Sequence, residues 1–285
     1  MFRFPTLAVD ELPLPDIERV FHLTQADHTD WSQFQTPFEI PENSRSYLST
    51  IDTSISNSDG IHEIALQQRL VMLLTAVYSA APKDPRFPGL TKIPISGKWR
   101  FSFQPIVYEG ELRCLQGSPD YSLWYHPGAG KQSLAVSLII LEAKKGQSAL
   151  CVPQALAYMG MIHTQRRYEH MIEHTVFGLS TDNNQFHFLQ INTHGEWSQL
   201  DLDYSNHRQE IVETLAYFHR QASILSTLAY SNGTKENHSK SQVEGALLAT
   251  EGSQSKSVPD EACSTLQVED HFIDDWDSDG TFGDD

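Results

Sequence analysis

The residues best suited to chemistry are Pro119-Asp120 and, after 21 intervening residues, Glu142-Ala143-Lys144. Glu142 closes the nearly continuous apolar run Ala135-Val136-Ser137-Leu138-Ile139-Ile140-Leu141. Such a run reads as a central strand covered on both faces. Side chains alternate along a strand, so Glu142 and Lys144 should point one way and Ala143 the other. The turn sequence Pro127-Gly128-Ala129-Gly130 should fold back the strand that Asp120 begins, bringing Asp120 beside the end of the Glu142 strand. Two carboxylates and the Ala143 carbonyl offer hard oxygen ligands for a cation such as Mg²⁺ or Mn²⁺. An ion held there would neutralise a phosphodiester and acidify a bound water. Lys144 beside it would hold or deprotonate that water and stabilise phosphorane charge. The plainer reading is an exposed charged pair at a strand end. It leaves unexplained why charges close the most hydrophobic strand, where they are costly without a task.

Positioning these groups requires an ordered core around them. Residues 61–81 carry Ile64, Leu66, Leu70, Leu73, Leu74 and Val77 at helical spacing without an internal Gly or Pro. Strands are expected over Trp99–Tyr108, Glu111–Leu115, Asp120–His126 and Leu134–Ala143, with a hairpin turn at Tyr108-Glu109-Gly110-Glu111. A helix over Val152–Arg166 should follow, then strands Thr175–Ser180 and Gln185–Asn192 around the turn Thr181-Asp182-Asn183-Asn184. Trp197–Leu202 extends the sheet, and a last helix spans roughly Asn206–Leu228. The pattern predicts an α/β sandwich, a central mixed sheet flanked by helices.

The net charge of −17 is unevenly spread: −7 over residues 1–60, zero over 61–231 and −10 over 232–285. The first stretch, rich in Pro, Asp, Ser and Thr, reads as an acidic arm partly ordered by packing on the domain at 61–231. The last reads as a disordered tail. Its aromatic and acidic end, from His271 to Phe282, could recruit a protein partner. Acid confined to the flanks leaves open what the middle binds. Three scattered cysteines, Cys114, Cys151 and Cys263, argue against a disulfide framework and suit a reducing, intracellular setting, nuclear or cytoplasmic. No apolar run reaches membrane-spanning length, and the first residues do not read as a secretory signal, so neither membrane nor secretion is expected.

Gly117-Ser118-Pro119-Asp120-Tyr121, Leu141-Glu142-Ala143-Lys144-Lys145 and the following helix with Gln154 and Tyr158 resemble the PD-(D/E)XK nuclease superfamily. They are most similar to its fungal and mobile-element-associated branch. Val176-Phe177-Gly178-Leu179-Ser180-Thr181-Asp182 followed by Phe186-His187-Phe188 resembles the strand-turn-strand after that helix. The resemblance covers about residues 61–220 and implies a restriction-endonuclease-like fold. It implies that Asp120 and Glu142 bind metal, that Lys144 is the catalytic lysine, and that Gln154 orients water or phosphate. An acidic residue from the first helix often joins such sites, and Glu63 is the carboxylate available there. The expected activity is metal-dependent hydrolysis of nucleic acid, DNA before RNA. The alternative is a non-catalytic binding or scaffolding protein on the same fold, favoured by a middle that lacks a basic stripe.

Lys131, Lys145, Arg166 and Arg167 are the cations expected to touch backbone phosphates. His170 and His174 have an i, i+4 spacing that zinc can use, but no third ligand has a clear position. Gly128-Ala129-Gly130-Lys131-Gln132-Ser133 lacks the first glycine of a phosphate loop and joins two strands, so it reads as a hairpin turn.

Overall fold

A computed structural model describes residues 4–57, 63–80, 95–96, 99–124, 136–142, 148–171, 173–221, 224 and 267–270. The architecture is mixed α/β, with two sheets where the pattern predicts one. Strands β1 (Thr6–Ala8), β4 (Trp99–Tyr108), β5 (Glu111–Gly117) and β11 (Gln267–Asp270) form a sheet in the order β1-β5-β4-β11. The larger sheet has the order β2-β10-β9-β8-β7-β6-β3. It comprises β2 (Thr24–Gln25), β3 (Ile95–Ser96), β6 (Tyr121–Trp124), β7 (Val136–Glu142), β8 (Val176–Thr181), β9 (Gln185–Ile191) and β10 (Glu196–Asp203).

Local chemistry explains the turns. The β4–β5 hairpin closes on Glu109 and Gly110, at φ 50° and 80°, the left-handed pair that matches strand twist. At the β8–β9 turn, Asn183 takes φ 66°, and the Asp182 carboxylate accepts from the backbone N–H groups of Asn184 at 3.0 Å and Gln185 at 2.8 Å.

Helices cover both faces of the larger sheet. Between the two sheets lie α1 (Leu14–Phe21) and α4 (Val152–Tyr168), within a core that includes Leu7, Ile17, Phe21, Phe101, Leu115, Tyr158, Ile162 and Val176. Most of α4 is buried around its whole circumference, as expected of a helix held between layers. On the other side lie α2 (Glu42–Ser56), α3 (Glu63–Ala80) and α5 (residues 204–221). Their core joins Leu48, Leu70, Leu73 and Val77 to Phe177, Leu179, Phe188 and Phe218.

Both flanking segments contribute elements to the fold. The N-terminal stretch is part of both cores, because Leu7, Val9, Leu12, Ile17, Phe21 and Leu48 are all buried. Burying such a side chain stabilises by roughly 1.5–3 kcal/mol, enough to hold a segment whose composition looks loop-like. Within the stretch expected to be a disordered tail, Gln267–Asp270 is an edge strand antiparallel to β4. Among the described residues, no helix is long and apolar enough to cross a membrane.

Candidate functional site

Asp120 stands where the chain changes sheets. β5 ends at Gly117, β6 begins at Tyr121, and Ser118-Pro119-Asp120 form the corner between them. β6 runs antiparallel to β7 with Tyr121 paired to Ile140 and Ser122 to Ile139. Continuing that register would set Asp120 level with Leu141 and Pro119 level with Glu142. The two motif positions are thus neighbours offset by one residue; strict strand alternation would turn their side chains to opposite faces, but Asp120 lies in a bend before β6, where the corner and not the pleat sets its direction. On its other side β7 pairs in parallel with β8, Glu142 against Thr181. The β8–β9 turn, with buried Asp182 and Asn183, thus lies at the same end of the sheet as Glu142.

The corner is held from below by α4. Tyr158 is 1% exposed, and its hydroxyl oxygen accepts from the Gln154 side chain, one turn earlier, and from the Ser118 backbone. Burial raises the phenol above its ordinary range despite these hydrogen bonds, and the nearby Asp10 and Asp120 carboxylates raise it further. Cys151, the N-cap of α4, is half-buried; burial and then the Asp120 carboxylate push its thiol up. Asp120, itself half-buried, therefore lies close enough to Cys151 and Tyr158 for its charge to act on both. Sequence reasoning passes over Asp10 and Cys151. Asp10 lies far from Asp120 along the chain and carries no motif, while Cys151 looks like any isolated cysteine.

The remaining expected site residues divide clearly. Glu142 is in β7, but its side chain lies outside the described set, as does that of Glu63 at the start of α3. Ala143, Lys144, Lys145 and Lys131 also lie outside the described residues. The half of α3 that carries Glu63 does approach this end of the sheet. Two turns on, buried Arg69 donates to the Asn183 carbonyl at 2.8 Å. Gln154 bonds the Tyr158 hydroxyl, so it braces the corner.

Arg166 does not serve as a surface cation. It is 2% exposed, and its Nη1 donates to the Thr175 carbonyl. Burial lowers it to about 10, while Glu173 supports the charged form. Arg167 is exposed in the last turn of α4. The i, i+4 histidine pair is not on a helix: His170 adopts φ 52° just beyond α4, and His174 lies in the link to β8. Among the described residues, no three His, Cys, Asp or Glu side chains are grouped to hold a metal ion. That set excludes the Glu142 side chain and Ala143.

No protein-family model matches the chain. No curated protein is significantly similar to it.

Proposed function

We propose that the protein is a metal-dependent nuclease of the PD-(D/E)XK type, on a restriction-endonuclease-like sandwich, that hydrolyses phosphodiester bonds, DNA before RNA. One observation carries the reading. The β6–β7 register brings the Asp120 corner to the end of the strand that finishes in Glu142, with Gln154 and Tyr158 of α4 bracing that corner. Two motif segments far apart in sequence thus meet at one end of adjacent strands.

The residues suit a hard divalent cation. The Asp120 carboxylate is half-buried just before β6, and its field reaches the Cys151 thiol. Asp120 and Glu142 would hold Mg²⁺ or Mn²⁺, with the Ala143 carbonyl as a further oxygen donor. When bound, the ion would supply Lewis-acid stabilisation of the phosphodiester. Lys144 would orient or deprotonate the attacking water. The Gln154–Tyr158–Ser118 hydrogen bonds would hold the start of the corner in place.

Incubation with single- and double-stranded DNA and RNA, in Mg²⁺, Mn²⁺ or EDTA, tests the proposal. Cleavage is expected with either metal and not in EDTA, with Glu142→Ala lowering the rate by about 100-fold or more. Binding without cleavage under all conditions would transfer the reading to a non-catalytic module.

A further inference from the structure

The edge strand β11 has a fixed register against β4: Val268 with Phe101, Glu269 with Arg100 and Asp270 with Trp99. On the opposite side of β4, Phe101 pairs with Gly117 of β5. Val268, Phe101 and Gly117 therefore form one row across three strands, and the Ser118–Asp120 corner begins at its end. The spacing of hydrogen-bonded strands, about 4.8 Å, puts β11 about 10 Å from that corner. Direction matters as much as distance. Because β11 runs antiparallel to β4, Asp270 lies at the end of the sheet where β5 hands over to Asp120. The same row also leads to the brace, since the buried Phe101 ring lies 5.7 Å from that of Tyr158.

The 15 residues that follow Asp270 contain six aspartates and no lysine or arginine. Their contour length, about 50 Å at full extension, exceeds the separation to be covered. A polyanion tethered so close has a high effective concentration at the site, without any specific contact of its own.

We propose that Gln267–Asp270 is a docking strand that adds to the β4 edge in cis and anchors the following aspartate-rich segment beside the Asp120 corner, where it competes with nucleic acid. This rests on the nuclease reading above.

The test uses a fluorescent 20-base-pair DNA duplex and anisotropy, comparing the full chain with three variants. One is truncated after Asp270, one after Leu266, and one carries Val268→Pro with Glu269→Pro. Successive residues of a strand turn their N–H groups to opposite sides, so one of the two prolines must remove a hydrogen bond to β4. All three variants should bind the duplex about tenfold more tightly at low salt, and the gain should shrink as salt screens the charge. Amide exchange at residues 99–102 should quicken in the Leu266 truncation and the double-proline chain, and stay slow after truncation at Asp270. Equal duplex affinity across all four chains would overturn the competitor and leave the nuclease reading intact. A tighter Asp270 truncation beside an unchanged double-proline chain would overturn docking as the anchor. Failure of every chain, the truncations included, to bind duplex or single-stranded DNA or RNA would overturn the nuclease reading and the competitor together.

Discussion

The Tyr158 hydroxyl occupies the space that a side chain at Gly117 would need: a Cβ at 117 would overlap that oxygen. The same hydroxyl accepts hydrogen bonds from Gln154 and from the backbone of Ser118, so a single group on α4 sets where β5 ends and where Asp120 begins. Absence of a side chain at Gly117 is a condition for the brace.

Gly117→Ala should therefore destabilise the protein by about 1–3 kcal/mol, the usual range for overpacking. Tyr158→Phe should also destabilise, by about 0.5–1.5 kcal/mol, because it removes the acceptor shared by the Gln154 side chain and the Ser118 backbone N–H. The two effects should not add. With the phenolic oxygen gone, the alanine methyl has room, so the double variant should be less destabilised than the sum. Chemical denaturation of the four chains measures this coupling, and strict additivity would contradict the contact.

Cys151 reports on Asp120 without requiring turnover. The carboxylate and burial both raise the thiol, which slows its alkylation at neutral pH. Asp120→Asn should lower the thiol pKa and speed alkylation of Cys151, read by mass spectrometry at that peptide. Mg²⁺ or Mn²⁺ should do the same in the natural chain and have little effect in Asp120→Asn, because a bound cation cancels the carboxylate's field. A Cys151 rate indifferent to both ions would argue against a cation at Asp120.

Much of the larger sheet can be read locally. The β8–β9 turn follows from Asp182 and Asn183, and α3 from its helical apolar spacing. The division into two sheets is not local. β1 pairs with β5 through Thr6 and Cys114, and β11 pairs with β4 through Val268 and Phe101, contacts between distant parts of the chain. α2 is concealed by composition. Its Thr50, Thr53, Ser54 and Ser56 hydroxyls each donate to the carbonyl four residues back, so residues that usually favour turns are accommodated within the helix. At the site, the Pro-Asp and Glu-x-Lys spacing could be read, but the brace could not, because its contact between Gly117 and Tyr158 exists only after α4 packs. Arg166 and Arg167 are indistinguishable as a doublet; burial alone separates them.

A third prediction concerns the far face. Asp52 of α2 pairs with Arg69 Nε at 3.0 Å and Arg208 Nη1 at 3.2 Å, and accepts from the Tyr204 hydroxyl at 3.3 Å. The Arg69 guanidinium lies 4.2 Å from the centre of the Tyr204 ring and is almost wholly buried. Asp52→Ala leaves that cation without its carboxylate and should cost about 3 kcal/mol. Asp52→Ala combined with Arg69→Met should recover part of the loss, since an apolar chain of similar reach needs no counter-charge. A double variant no more stable than Asp52→Ala alone would show that the pair is not the source of the effect.

Acid should weaken the fold through two buried histidines. Burial lowers His163 to about 4, with His174, Arg167 and Arg166 opposing its protonation and the His174 backbone carbonyl partly favouring it. Burial alone lowers His219, of α5, to about 3. In the unfolded chain both titrate near 6.5, so below that pH the unfolded state takes up protons that the folded state refuses. Stability contributed by the neutral rings is complete above about pH 6.5 and falls as pH drops toward 4. The slope is about 1.4 kcal/mol per pH unit for each histidine. Glu173 and Asp201 add acid sensitivity at lower pH. Their folded carboxyls are held below the ordinary value, Glu173 by hydrogen bonds from Thr175 and Thr193 and Asp201 by His187. Between pH 6.5 and 5 the histidines should dominate. Denaturation at intervals across that window should show a slope that His163→Gln and His219→Phe each reduce by about 1.4 kcal/mol per unit. An unchanged slope in both variants would mean that neither ring is held neutral by the fold.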